Sequence, residues 1–208
     1  MDTLRITRDD IDAEGVYTKA ESIDFDGHVE VAADLGTVRV RGFVRAKGRI
    51  RCLAGSGIEV GEGIEAGWGI ESGEGIESGE GIEAGSGIKS GSGIKAGWGI
   101  KSGSGIEAGL GIEAGSGIKA GEGIEAGSDI DAGWGIEAGW GIKAGRGIEA
   151  GRGIEAGEGM GVFAGLCVCV NQWSLYAQVI ASAKPKNLIS GVWVEPIIEI
   201  NRKHDNHV

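Results

Sequence analysis

The chain has 208 residues, a formal net charge of −11 and 43 glycines. Glycine at that level, against a usual ~7%, marks either a flexible low-complexity chain or a repeat architecture. The acidic balance argues against direct binding to nucleic acid or to an anionic membrane surface. Three cysteines (Cys52, Cys167 and Cys169) are too few for a disulfide framework.

Residues 1–21 are polar, with Ile6, Ile11 and Val16 as scattered apolar points, and read as a lead-in that caps the first coil. The start, Met1-Asp2-Thr3-Leu4-Arg5, has no apolar signal core, and no stretch approaches ~18 apolar residues. A cytoplasmic protein is expected, or one in a virion or host-cell cytoplasm if phage-encoded.

From Ser22 the pattern changes. Ile23 and Phe25, Val29 and Val31, and Val38 and Val40 alternate with polar residues, the period of half-buried strands. Val44-Arg45-Ala46 and Ile50-Arg51-Cys52 then repeat one form: aliphatic, charged, small. Residues 22–54 therefore read as irregular coils of the array that follows. Arg39, Arg45 and Arg51 give them a basic band beside an acidic rod, a feature suited to head-to-body association.

Residues 55–156 are 17 uninterrupted copies of Gly-x-Gly-Ile-(Glu/Lys)-(Ala/Ser). An invariant Ile has no use in a disordered linker, so the stretch is read as ordered. Ile holds position four throughout, and position six is Ala in 12 units, Ser in four and Val once. On a strand these two positions face the same side, so both point inward and the charge at position five points out. Gly-x-Gly is the corner, where glycine permits positive φ. Position two is the tip: Ser in six units, Glu in four, Trp in four, Arg in two and Leu in one.

Two glycines per unit would cost a helix about 2 kcal/mol. Collagen needs glycine at every third residue, which this spacing lacks. An all-β fold remains: a single-stranded parallel β-solenoid of six-residue units, its Ile columns forming a core no unit could form alone. Two or three units could close a coil. Opposite charges fall on 8 of 15 pairs at a spacing of 12 and on 7 of 14 at 18, which decides nothing. Triangular coils are the preferred reading, because six residues per side is a familiar triangular period.

After Ala156 the repeat's Ile and regular charge are lost, Phe163 to Val170 carry no charge, and residues 157–200 are the most apolar part of the chain. They read as a C-terminal β cap that shields exposed strand edges, or as an oligomerisation segment. Leu188-Ile189 and Val192-Trp193-Val194 read as a last strand pair. Phe163, Leu166, Trp173, Tyr176 and Trp193 are the candidates for self-association. A polar tail, 201–208, ends the chain.

Few residues invite chemistry. Cys167 and Cys169 would face one side of a strand, but with no further ligand near in sequence they read as buried core thiols. His28 stands alone in a turn; His204 and His207 fall in the tail. At Ser128-Asp129-Ile130-Asp131, Asp129 replaces a corner Gly, and Asp tolerates the left-handed region. Asp129 and Asp131, with Trp134 and Trp140 nearby, form a candidate contact site. Trp68, Trp98, Trp134 and Trp140 occupy corner tips, as interface aromatics or folded back over neighbouring glycines.

The unit, as in Ile82 to Gly87, resembles the left-handed hexapeptide β-helix pattern of acyltransferases over about half the chain. Those enzymes typically use a histidine between coils, and none occurs here between residues 29 and 203. The short strands and glycine corners also resemble bactofilin-type polymerising β-helices. No cofactor, metal or catalytic residue is expected. The expected role is non-catalytic protein interaction or assembly on a rigid acidic solenoid, with a protein partner or a second copy as a dimer. An acidic mimic of nucleic acid that inhibits its binding proteins is the alternative, and an acyltransferase a third.

Overall fold

The computed structural model describes residues 1–157 and 161–195. The tail 201–208 with both its histidines, and Ile197, Ile198 and Ile200, lie outside the described residues.

The chain winds into a parallel β-solenoid of about nine turns. Its strands form three sheets of ten, nine and eight, here called faces I, II and III. Face I runs from Thr3–Ile6 to Leu188–Ser190, face II from Gly36–Val40 to Val192–Val194, and face III from Ile23–Phe25 to Gly153–Ala156. Coils are triangular. In the regular part each strand pairs with the one 18 residues on: Ile58 with Ile76, Ile64 with Ile82, Ile70 with Ile88.

The repeat grammar explains the section. Every position-four Ile from Ile58 to Ile148 is at most 2% exposed, and Ala or Ser at position six is buried beside it. Burying one Ile is worth roughly 1.5–3 kcal/mol, and a slip of one residue would turn the whole column outward. Register is thus fixed by the core. Serines at position six serve inside as well. The Ser90 hydroxyl donates to the Glu74 carbonyl at 2.6 Å, and the Gly93 carbonyl lies 3.1 Å away.

The corner glycines do not use positive φ as expected. Among the described residues, left-handed backbone in the array is confined to Gly55 (φ 70°), at its very start. The two glycines of a corner have different reasons. At position one, a Cβ on Gly121 would sit 2.1 Å from the carbonyl oxygen of Gly103, one coil earlier. At position three, a Cβ on Gly123 would meet the nearest backbone oxygen at 3.5 Å, ordinary contact. Position one is glycine because neighbouring coils touch there. Position three is less crowded throughout, from 2.9 Å at Gly57 to open space at Gly153, and Asp129 fits there without a left-handed φ.

The N-terminal coils are longer. Val29 faces Ile50 and Ile50 faces Ile70, spacings of 21 and 20. The extra residues enlarge the corner between faces I and II, where Asp34 (φ 57°), Gly36 (φ 69°) and Gly55 turn left-handed. Ser56 is not an exposed tip: it is fully buried, donating to the Ala32 carbonyl and accepting from the Leu35 N–H. Stacking also begins earlier than residue 22. Thr3–Ile6 pairs in parallel with His28–Val31 as the outermost strand of face I. Residues 8–18 cover the end of face II: Arg39 N–H donates to Gly15 O and Tyr17 N–H to Arg39 O, with Ile11 and Tyr17 buried.

The C-terminal segment continues the winding. Gly161–Phe163 extends face I, and Gln178–Ile180 extends face II. Leu188–Ser190 and Val192–Val194 do not pair with each other, because each adds a strand to a different face. A corner excursion separates Phe163 from Gln178 and holds the short helices Val170–Gln172 and Trp173–Tyr176. Over face III, residues 181–187 cross as a loop instead of a strand. Ser182 N–H donates to the Arg152 carbonyl, and Asn187 Nδ2 to the Ala156 carbonyl. Pro185 lies in this loop, suited to ending a sheet because it has no N–H to offer.

Candidate functional site

Position five builds one charged ladder per face. Along face I the order is Arg5, Glu30, Arg51, Glu71, Lys89, Glu107, Glu125, Lys143, four cations against four acids. Ion pairs link Arg5 to Glu30, Arg51 to Glu71, Lys89 to Glu107 and Lys143 to Glu125. Face III, from Asp24 to Glu155, holds three cations against five acids. Face II holds two, Arg39 and Lys95, against five. The arginines of the first coils therefore present no free basic band. Arg39, Arg45 and Arg51 each pair with the next coil's Glu59, Glu65 and Glu71. These pairs are solvent-exposed, so each contributes only ~0–1 kcal/mol.

Face II ends its regular run on three consecutive acids, Glu113, Asp131 and Glu149. Partial burial, then the charges of Glu113 and Asp129, holds the Asp131 carboxyl above its ordinary range. Asp129 does separate work. Its Oδ1 accepts the N–H of Gly147 on the next coil at 2.9 Å, and Arg146 lies 3.9 Å from its Oδ2. Trp134 and Trp140 stand in other corners, so the four residues do not share one site. Among the described residues no cluster of three or more His, Cys, Asp or Glu is arranged to hold a metal ion.

All four corner tryptophans are exposed, from 47% at Trp68 to 63% at Trp98. Backbone bonds running from tip to tip place Trp98 and Trp134 in the corner between faces II and III, two coils apart. The same bonds place Trp68 and Trp140 in the corner between faces III and I, four coils apart. The Arg152 guanidinium lies over the Trp134 ring at 4.5 Å, and the His28 ring meets Trp68 edge-on at 5.2 Å. His28 is thus not alone: its Nδ1 also accepts the Arg49 N–H.

Each face carries a groove parallel to the axis, floored by position-three glycines and walled by the ladder and the corner tips. The groove on face III measures about 1290 Å³ and includes Trp134. That on face I measures about 730 Å³ and includes Trp68 and Trp140; that on face II measures about 540 Å³. Trp98 lines none of the three.

The C-terminal excursion has a different surface. Leu166, Val170, Leu175 and Tyr176 are exposed, as are Ile189 and Val192 further on. Of the candidates for self-association, Leu166 and Tyr176 are about half exposed, with the Arg146 guanidinium over the Tyr176 ring at 5.8 Å, and Phe163 is half-buried on the outside of face I, where Lys143 stands one coil earlier. Trp173 and Trp193 are half-buried and pinned, donating their indole N–H to the carbonyls of Val168 and Ala181. Val170, Leu175 and Ile189 were not singled out in the sequence, because nothing in their spacing separates an outward residue from a core one. Cys167 and Cys169 are exposed in a turn of this excursion, not buried in a strand. Cys52 is the buried thiol, pushed up to about 12 by desolvation and partly offset by its hydrogen bond with Ser72.

No helix among the described residues is long and apolar enough to cross a membrane. No protein-family model matches the chain, and neither a curated protein nor a solved structure is significantly similar to it.

Proposed function

We propose that this protein is a non-catalytic assembly element: a rigid β-solenoid that joins a second copy of itself through its C-terminal excursion. One observation carries the reading. Leu166, Val170, Leu175 and Tyr176 are 47–73% exposed within one short segment, while along the stack the exposed large apolar side chains stand singly at corner tips beside charged ladders. A monomer has no packing reason to expose that cluster, and such patches are typical of interfaces. A two-fold dimer is the commonest way to cover a self-complementary patch. The fixed hydrogen-bonded stack is well suited to holding the joined ends at a set distance. The ladders favour lateral solubility, since each face is dotted with both signs. Sedimentation of the intact chain tests the reading: a dimer is expected, twice the 21.3 kDa of one copy. A monomer at every concentration would refute it.

A further inference from the structure

The groove on face I has a tryptophan towards each end. Trp68 and Trp140 lie in one corner column with Ser86, Ser104 and Glu122 between them, each tip donating its N–H to the carbonyl of the tip before. Four coils at ~4.8 Å make a trough ~19 Å long. Its high wall is Glu71, Lys89, Glu107, Glu125 and Lys143; its floor is the glycine column from Gly69 to Gly141. We propose that this trough binds a linear, uncharged glycan, with sugar rings stacked on Trp68 and Trp140.

Three observations select that class. First, every charge on the wall is already paired, Glu71 with Arg51, Lys89 with Glu107 and Lys143 with Glu125. The ladder wall offers fixed donors and acceptors, and the two further charges that line the trough, Arg49 and Glu122, are of opposite sign, so no field of one sign favours an ionic ligand over hydroxyls. Second, the floor has donors to spare. Among the described residues, the N–H groups of Gly69, Gly87, Gly105 and Gly123 make no backbone hydrogen bond. The equivalent N–H on face II, that of Gly147, takes an oxygen from outside the ladder, Asp129 Oδ1 at 2.9 Å. Ligand hydroxyl oxygens would occupy the same place on face I. Third, the floor donors recur once per coil, every ~4.8 Å, whereas same-side groups of an extended peptide recur every ~6.7 Å. A peptide's same-side groups fall out of step within two coils, whereas a pyranose chain carries hydroxyls on both edges of its rings and so offers an oxygen near each donor whichever way a ring is turned. The exposed indoles then take the C–H faces of rings near either end.

Binding is independent of self-association, because the trough and the C-terminal excursion share no residue. The test is calorimetric titration of the intact chain with cellohexaose, xylohexaose and N-acetylchitohexaose, with hexagalacturonate and hexaglutamate as charged controls. Saturable binding of at least one neutral hexamer is expected, weakened about tenfold by Trp68→Ala or Trp140→Ala, the size of one lost stacking contact. Trp98→Ala, outside every groove, leaves it unchanged. Circular dichroism confirms that each variant is folded. Binding of none of the neutral hexamers, equal or tighter binding of a charged control, or binding unchanged in both Trp68→Ala and Trp140→Ala overturns the proposal.

Discussion

The regular stack and the C-terminal segment follow one winding rule with opposite surfaces. Between Ile58 and Ile148 each strand shows core residues inward and a single charge outward. In the last coils the outward places opposite Lys143 and Glu149 go to Phe163 and Ile180, and a corner swells into an excursion bearing exposed Leu, Val and Tyr. Backbone pairing does not require that change, since both regions pair in parallel on the same faces. The difference teaches that the winding rule sets the core and the pairing but leaves the outer surface free to change, and only at this end does it become a run of exposed apolar side chains.

The sharpest way to break the stack is at one corner, where two glycines separate steric need from habit. Gly121→Ala drives a methyl into the carbonyl of Gly103, and is expected to cost 3 kcal/mol or more, at or beyond the usual ~1–3 kcal/mol of overpacking. Gly123→Ala, two residues on, is expected to change stability by less than about 1 kcal/mol, possible in either direction. Denaturant titration of the two variants checks both. Next in size is the core: Ile106→Ala removes a side chain 1% exposed and is expected to cost about 2–5 kcal/mol by the same measurement if the coils close only in part around the void.

Smaller effects belong to the ladders. Arg45 sits between Asp24 and Glu65, at 3.7 and 2.9 Å. Arg45→Ala is expected to cost no more than about 1 kcal/mol, an effect that vanishes in high salt. The smallest is Asp131→Asn. Because the folded-state pKa of Asp131 is raised, its charge opposes folding at neutral pH, and the substitution stabilises there. The gain shrinks as pH falls through the raised pKa and is gone below the ordinary value of 3.8, where folded and unfolded chains both hold the proton. Stability measured against pH for both proteins checks the sign.

Much of the fold was legible because the repeat writes each position separately. Invariant Ile and small position six gave the core, and the six-residue unit gave the strands. The number of sides was not legible from the charges, because opposite pairs are as common at 12 as at 18 residues. Nor was the reason for glycine, since both corner glycines look alike in sequence and only the packing of coils separates them. The site was less readable. Tip position identified the four tryptophans as outward, yet which of them share a groove depends on the 18-residue turn. Cys167 and Cys169 were misplaced because their apolar neighbours look like core, whereas the chain leaves the stack at Gly165 (φ 77°).

The account rests on the C-terminal excursion as the surface that joins two copies. Sedimentation equilibrium of the intact chain beside a Leu166→Glu/Leu175→Glu variant tests it most directly. Both side chains are more than half exposed, so the charges leave the fold intact. The expected result is a dimer of twice 21.3 kDa that becomes a monomer of 21.3 kDa in the variant. A monomeric parent, or a dimer that persists in the variant, would contradict the account.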